Sequence, residues 1–255
     1  MAREFGGNGA YDGPRAADGY AARDDRMDRL LGHPFVFRAL ALTEMRGRTL
    51  LDFGCGPGIV AERAARLYGV RVLAVDVSPA MLQAARRRNP PGAEFRLIRD
   101  GRVADLPDRC ADAAMCNHVL ATLPDKDGIL RLLSEIHRLL KPGGRLAVLA
   151  SDPTRAGTRF SCQQVGEPGM TYRPGDPFPA HLKCTDGSWH TFPDFYWPPE
   201  ILPPLLSSAG FTCVSRHHPS VEEAAEIADP ELLRSDPWTA ERAAPPLVVT
   251  TATAA

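Results

Sequence analysis

The sequence predicts an α/β protein built on an open, doubly wound sheet, and three observations carry that reading. Short apolar runs alternate with helical patterns between residues 49 and 150. The run Leu50-Leu51-Asp52-Phe53 breaks at Gly54-Cys55-Gly56-Pro57-Gly58 and continues into a helical pattern, which is strand, tight turn, helix. Asp76 closes the next apolar run, at about the 20-residue offset of a ribose-binding acid in a nucleotide fold.

Composition narrows the function. The 255 residues suit one domain, and 30 basic against 31 acidic residues give a net charge of −1. Such a balance offers no electrostatic footprint for nucleic acid or an anionic membrane. A small-molecule partner is therefore expected. No apolar run is long enough to cross a bilayer, and the N-terminus mixes Arg3 and Glu4 with glycines instead of an apolar signal core, so a cytoplasmic location is expected. The six cysteines form no Cys-x-x-Cys pair and read as reduced thiols. Cys162, His181, Cys184 and His190 match no common zinc spacing, and no metal is expected.

In chain order, residues 1–19 hold five glycines and few apolar positions, which predicts a mobile segment unless a ligand orders it. Residues 20–46 read as two helices divided at Gly32-His33-Pro34. Residues 49–53 are the first strand and 70–75 the second, with a helix between them that ends at Gly69. Ser78 as N-cap and Pro79 at the first helical position start the next helix, which leaves Asp76 for a ligand. The third strand spans 95–98 and leads to Asp100-Gly101, also a common turn pair. The fourth, 111–116, ends at Asn117-His118, on the carboxyl edge where an open parallel sheet binds its ligands. An amphipathic helix over 129–140 stops at Lys141-Pro142-Gly143-Gly144 before a fifth strand, 145–150.

Periodicity then vanishes over residues 152–198, where eight of the 18 aromatic residues gather. That segment is expected to be irregular and to fold over the acceptor side of the site. A short helix over 199–209, a strand over 211–216, helical turns over 218–244 and a last strand over 246–251 complete the chain.

The glycine turn admits few ligands. Asp52 would set a negative charge beside any pyrophosphate held by the helix amides, which disfavours a dinucleotide. A molecule with a ribose, an ammonium and a sulfonium meets both Asp52 and Asp76. The run from Leu50 to Gly58, together with Leu139-Leu140-Lys141-Pro142-Gly143-Gly144, resembles the class I S-adenosylmethionine-dependent methyltransferases over about residues 48–151.

The resemblance implies a Rossmann-like seven-stranded sheet with its last strand antiparallel, S-adenosylmethionine as cofactor and S-adenosylhomocysteine as product. It further implies a cofactor site drawn from Tyr20, Asp52, Gly54, Cys55, Gly56, Gly58, Asp76, Val77, Asp100, Gly101, Asn117 and His118. By the same resemblance Asp100 is the expected receiver of the adenine amino group, and the helices of residues 20–46 are expected to cap the site, with Tyr11 and Tyr20 as candidates to close over it.

Methyl transfer is an in-line displacement, so the protein must chiefly position its reactants, with a base as a smaller aid. His118 is the leading candidate base, followed by His190 and Asp194. Trp189, Tyr196 and Trp197, with Tyr11 and Tyr20, are the candidate acceptor contacts. A cofactor-binding enzyme with another reaction, a non-catalytic module and, more remotely, a nicotinamide dehydrogenase are the competing readings.

Overall fold

The computed structural model describes residues 13–255, so Tyr11 lies outside the described residues. The first helix, α1 (Pro14–Ala21), begins within the stretch expected to be mobile and buries Ala17. The fold therefore starts earlier than Tyr20.

A second helical stretch contains a π turn, Asp28–Gly32, that runs straight into α2 (His33–Ala39). Two helices divided at Gly32-His33-Pro34 were expected; the structure has a widened turn there. In a regular helix the Pro34 ring would meet the carbonyl of Leu30, and one extra residue in the turn relieves that clash without ending the helix. The His33 N–H reaches the carbonyl of Asp28 accordingly. Gly32 sits where this helix touches the sheet, and a Cβ there would stand 2.8 Å from the Leu149 side chain.

The central elements follow in order: β1 (Thr49–Phe53), α3 (Ile59–Tyr68), β2 (Arg71–Asp76), α4 (Pro79–Arg88), β3 (Ala93–Leu97), β4 (Ala111–Asn117), α5 (Lys126–Leu139) and β5 (Leu140–Ser151). Ser78 caps α4 by accepting from the Met81 N–H, and Gly69 ends α3 at φ 65°. After β6 (Gln163–Val165), β7 (Pro177–Lys183) and β8 (Trp189–Phe195) come α6 (Leu202–Ser208), β9 (Phe211–His217), the short helices α7 (Val221–Ala224), α8 (Pro230–Arg234) and α9 (Thr239–Ala243), and β10 (Leu247–Ala254).

Seven strands form one sheet in the order β3-β2-β1-β4-β5-β10-β9. The first five strands run parallel, and β10 lies antiparallel between β5 and β9. This is the doubly wound sheet with its last strand antiparallel. Alternation along the strands divides the core: Leu50 and Met115 pack toward the helices α2 and α3, while Leu51, Phe53 and Cys116 pack toward α5 and α6. Asp52 and Asn117 share the parity of Leu50 and Met115, which turns them toward α2.

Residues 152–198 are not irregular. They hold a three-stranded antiparallel sheet, β6-β7-β8, with Phe178, Ala180 and Phe192 buried on one face. The prolines hid these strands from the sequence pattern: Pro179 stands opposite Pro193, at a pair that needs no N–H from either. Backbone bonds from Asp24 to Lys183 and from Thr185 to Ala22 clasp this sheet to the N-terminal helices. The site is thus roofed by two segments far apart in sequence.

Candidate active site

The glycine turn takes its shape from β2. The Gly54 and Cys55 N–H groups both donate to the Val75 carbonyl, at 2.8 and 2.9 Å, and the Gly56 N–H donates to Asp76 Oδ2 at 2.8 Å. Asp76 Oδ1 receives the Ser78 N–H at 2.9 Å. Asp76 was expected to stand clear of the backbone, yet it binds both the turn and the start of α4. These two backbone donors fix the orientation of the carboxylate at the end of β2.

The three glycines have different duties, although all have positive φ. A Cβ on Gly54 would collide with Val119, and one on Gly58 would lie 2.9 Å from the Ala85 Cβ. Both positions let elements pack closely. Gly56 instead opens onto a cavity, with the Tyr20 ring 3.7 Å from where its Cβ would be. Gly56→Val should stay folded, losing about 1 to 2 kcal/mol to the left-handed backbone, while titration with S-adenosylhomocysteine shows binding weakened at least ~100-fold. Unchanged affinity would remove the ligand from this turn.

That cavity, with about 1120 Å³ of empty space including its mouth, lies over the carboxyl ends of β1, β2 and β4. Gly54, Gly56, Asp76, Val77, Asn117 and His118 line it, joined by Tyr20 and Asp194. Phe53, Met81, Ile98, Leu123 and Leu132 supply an apolar slot. A second cavity, with about 860 Å³ of empty space including its mouth, adjoins it and shares His118, Ser151 and Asp194.

Behind the glycine turn a smaller recess is bounded by Arg23, His33, Asp52, Cys55 and Asn117. Ten buried side-chain atoms lack a hydrogen-bond partner among the described residues, and five of them are here: Arg23 Nε, His33 Nε2, Asp52 Oδ2 and both Asn117 amide atoms. His33 Nδ1 lies 2.6 Å from the Arg63 guanidinium. Burial lowers its pKa to about 3, so the ring is neutral, accepts from Arg63 and carries its proton on Nε2. The recess therefore offers donors in Arg23, His33 and Asn117, and acceptors in Asp52 and Asn117. An α-amino acid end, with its carboxylate and ammonium, needs both kinds.

Charge in the site is ordered by Asp28. Buried at the start of the π turn, it receives the Arg23 guanidinium and lies 3.0 Å from His118 Nε2. Burial opposes its ionisation, but His118 and Arg23 together hold it well below the usual carboxylate range. The Arg23 guanidinium also lies 4.7 Å above the Tyr20 ring centroid. His118 has φ 57°, an uncommon backbone for a residue other than glycine, and its N–H is held by the Leu149 carbonyl at 2.8 Å. Asp52 behaves oppositely to Asp28: burial, with Asp76 adding to it, pushes its carboxyl up to about 8.

Several expected site residues stand elsewhere. Asp100 and Gly101 lie outside the cavities; Arg99 and Arg102 exchange backbone bonds at 2.9 Å, and φ of 50° and 74° make the Asp-Gly pair the corner of a tight hairpin. Trp189 lies under the Arg159 guanidinium at 3.6 Å, and His190 packs against Gly19 on an outer cleft. Tyr196 packs with Tyr172 and Phe178, at centroid separations of 5.7 and 5.3 Å, and borders neither main cavity. Of the aromatic candidates, Tyr20 and Trp197 reach the cavities, Trp197 while donating its indole N–H to the Leu123 carbonyl at 3.0 Å. Arg23, Asp28 and His33 were not expected at all. Only a His-Pro pair inside a helical pattern hinted at them.

Comparison with known proteins agrees with this geometry. Residues 51–148 match a family model described as a methyltransferase domain. The N-demethylindolmycin N-methyltransferase of Streptomyces griseus is 35% identical over 207 residues, covering 80% of this chain and 87% of that protein. A ubiquinone biosynthesis O-methyltransferase of Xanthomonas oryzae is 36% identical over 132 residues, and the match spans only 52% of its length. Among solved structures, a putative S-adenosylmethionine-dependent methyltransferase from Listeria monocytogenes superposes with a TM-score of 0.59 at 20% identity, covering 88% of this chain and 99% of that one. A sheet of this topology, a glycine turn bracketed by two buried acids and a relative matched along most of its length lead to one conclusion: the chain belongs to the class I S-adenosylmethionine-dependent methyltransferases.

Proposed function

We propose that this enzyme methylates a heteroatom, O or N, of a small and largely apolar molecule, with His118 as the base. The observation that carries this reading is the place of His118. It borders both cavities and is oriented by a buried carboxylate, Asp28, 3.0 Å from its Nε2. The N-methyltransferase relative, with its small-molecule acceptor, supports the same class of reaction.

In this reading Asp76 receives the ribose hydroxyls, the slot formed by Met81, Ile98 and Leu123 takes the adenine, and the recess of Arg23, His33, Asp52 and Asn117 takes the amino-acid end. The cofactor supplies an electrophilic methyl group on a positive sulfonium. The chain aligns the acceptor with it, and His118 takes the acceptor proton as the bond from heteroatom to carbon forms and the carbon–sulfur bond breaks. Asp28 stabilises the imidazolium. Positioning supplies up to about 7 to 11 kcal/mol of such a barrier, and a base adds about 10²- to 10⁴-fold.

Methyl-labelled cofactor offered with a panel of phenols, hydroxy acids and amines tests the reading, with product followed by mass. His118→Asn should lower kcat about 10²- to 10⁴-fold at unchanged affinity for S-adenosylhomocysteine. An unaltered kcat would remove His118 as base. Cofactor consumption without methylated product would favour a different reaction on the same fold.

Asp52 gives a pH test. Its carboxyl is protonated below about 8, whereas an ammonium beside it favours the charged form. Binding should therefore release about one proton at neutral pH, and affinity should climb toward pH 8 and then level. Calorimetry of S-adenosylhomocysteine binding in buffers of different ionisation enthalpy reads this release directly. Asp52→Asn should abolish it, and wild-type binding with no proton release would place the ammonium elsewhere.

A further inference from the structure

The second cavity has a polarity that the cofactor does not explain. It extends from His118 across the sheet face beneath β6–β8, and its walls are mainly apolar, with Val148, Phe178, Trp197 and Ile201 among them. At its far end stands Arg216, on the edge strand β9. Among the described residues, Arg216, which is exposed, forms no ion pair or side-chain hydrogen bond and is the one Lys or Arg in the cavity wall.

The register fixes the span. Cys116 pairs with Val148, Val148 with Thr250, and Thr250 with Arg216, so the row crosses from β4 to β9. Three strand spacings amount to roughly 14 Å. Subtracting the reach of the arginine leaves room for an apolar body about the size of a bicyclic or tricyclic aromatic.

We propose that this cavity seats the acceptor, an elongated and largely apolar molecule with its methylated heteroatom at the His118 end and an anionic group at the far end, paired with Arg216. The inference rests on the methyltransferase reading above and adds to it the chemical class of the substrate. A carboxylate, sulfonate or phosphate matches the planar guanidinium fork, and the low polarity of the walls strengthens the pairing. Arg216 acts as a specificity residue; it lies too far from His118 to take part in the transfer.

A matched pair of fluorescent probes provides the test: 8-anilinonaphthalene-1-sulfonate, and N-phenyl-1-naphthylamine, the same ring system without the sulfonate. Both are titrated into the enzyme saturated with S-adenosylhomocysteine, whose own binding is measured by calorimetry. The wild type should bind the sulfonate about 10-fold or more tightly than its neutral twin. Arg216→Gln should erase that preference while leaving the neutral probe and S-adenosylhomocysteine unaffected, and Arg216→Lys should keep part of it. Ile201→Trp, which narrows the cavity, should weaken both probes and spare the cofactor product. If S-adenosylhomocysteine binds but the wild type shows no preference, or Arg216→Gln retains it, this inference is overturned and the methyltransferase reading stands. If S-adenosylhomocysteine does not bind at all, both fall.

Discussion

Asp28→Ala should destabilise the protein by about 3 to 5 kcal/mol and slow methyl transfer as well. Asp28 is the carboxylate partner of the buried Arg23 guanidinium, and it also orients His118. Its removal leaves a buried cation uncompensated, which is where the large cost arises. Denaturation by urea measures the loss, and a change below about 1 kcal/mol would show that water reaches the pair. The dependence on pH has a defined sign. The folded pKa of Asp28 is depressed, so its contribution is present above the ordinary carboxylate range and is lost only as pH falls toward the depressed value. Asp28→Asn separates the two roles: it keeps the shape but removes the charge, so His118 loses support for its charged form and kcat should fall even where the protein remains folded.

Asp76→Ala should weaken S-adenosylhomocysteine binding by about 3 to 6 kcal/mol, from two charge-assisted bonds to ribose at about 1.5 to 3 each. That is at least ~100-fold in Kd. The effect has a second source in the structure, because Asp76 holds the Gly56 N–H at 2.8 Å and the Ser78 N–H at 2.9 Å. Without it the glycine turn loses its anchor, so affinity should fall further than removal of a ribose contact alone would cause. Asp76→Asn keeps one acceptor oxygen and should fall between alanine and the wild type. Calorimetric titration of the three proteins reads the series. An alanine variant with native affinity would take Asp76 out of the site and leave it only the turn.

Local patterns in the sequence determined the central fold. The alternation of Leu50, Leu51 and Phe53, the Ser78-Pro79 start of α4, and Gly69 at the end of α3 act through neighbours a few residues away, so their geometry was legible without the rest of the chain. The acids Asp52 and Asp76 were legible for the same reason, since strand ends next to a glycine turn are fixed by spacing alone.

Tertiary structure decided what closes over that frame. Asp28, paired with Arg23, meets His118 only because a π turn relieves Pro34 and brings a helix from the beginning of the chain against the end of β4. Their contact spans about 90 residues, and no periodicity encodes it. The aromatics of the insertion were visible as a cluster, but the register of β7 and β8 assigned them: Trp197 to a cavity, Tyr196 to a packed trio, Trp189 to an outer arginine. Asp100 shows the converse limit. Its residue type favoured a ligand contact over a turn, whereas the backbone bonds between Arg99 and Arg102 place it at the corner of a tight hairpin. Residue chemistry names what a side chain can do, whereas the packing of distant segments determines which of those partners comes within reach.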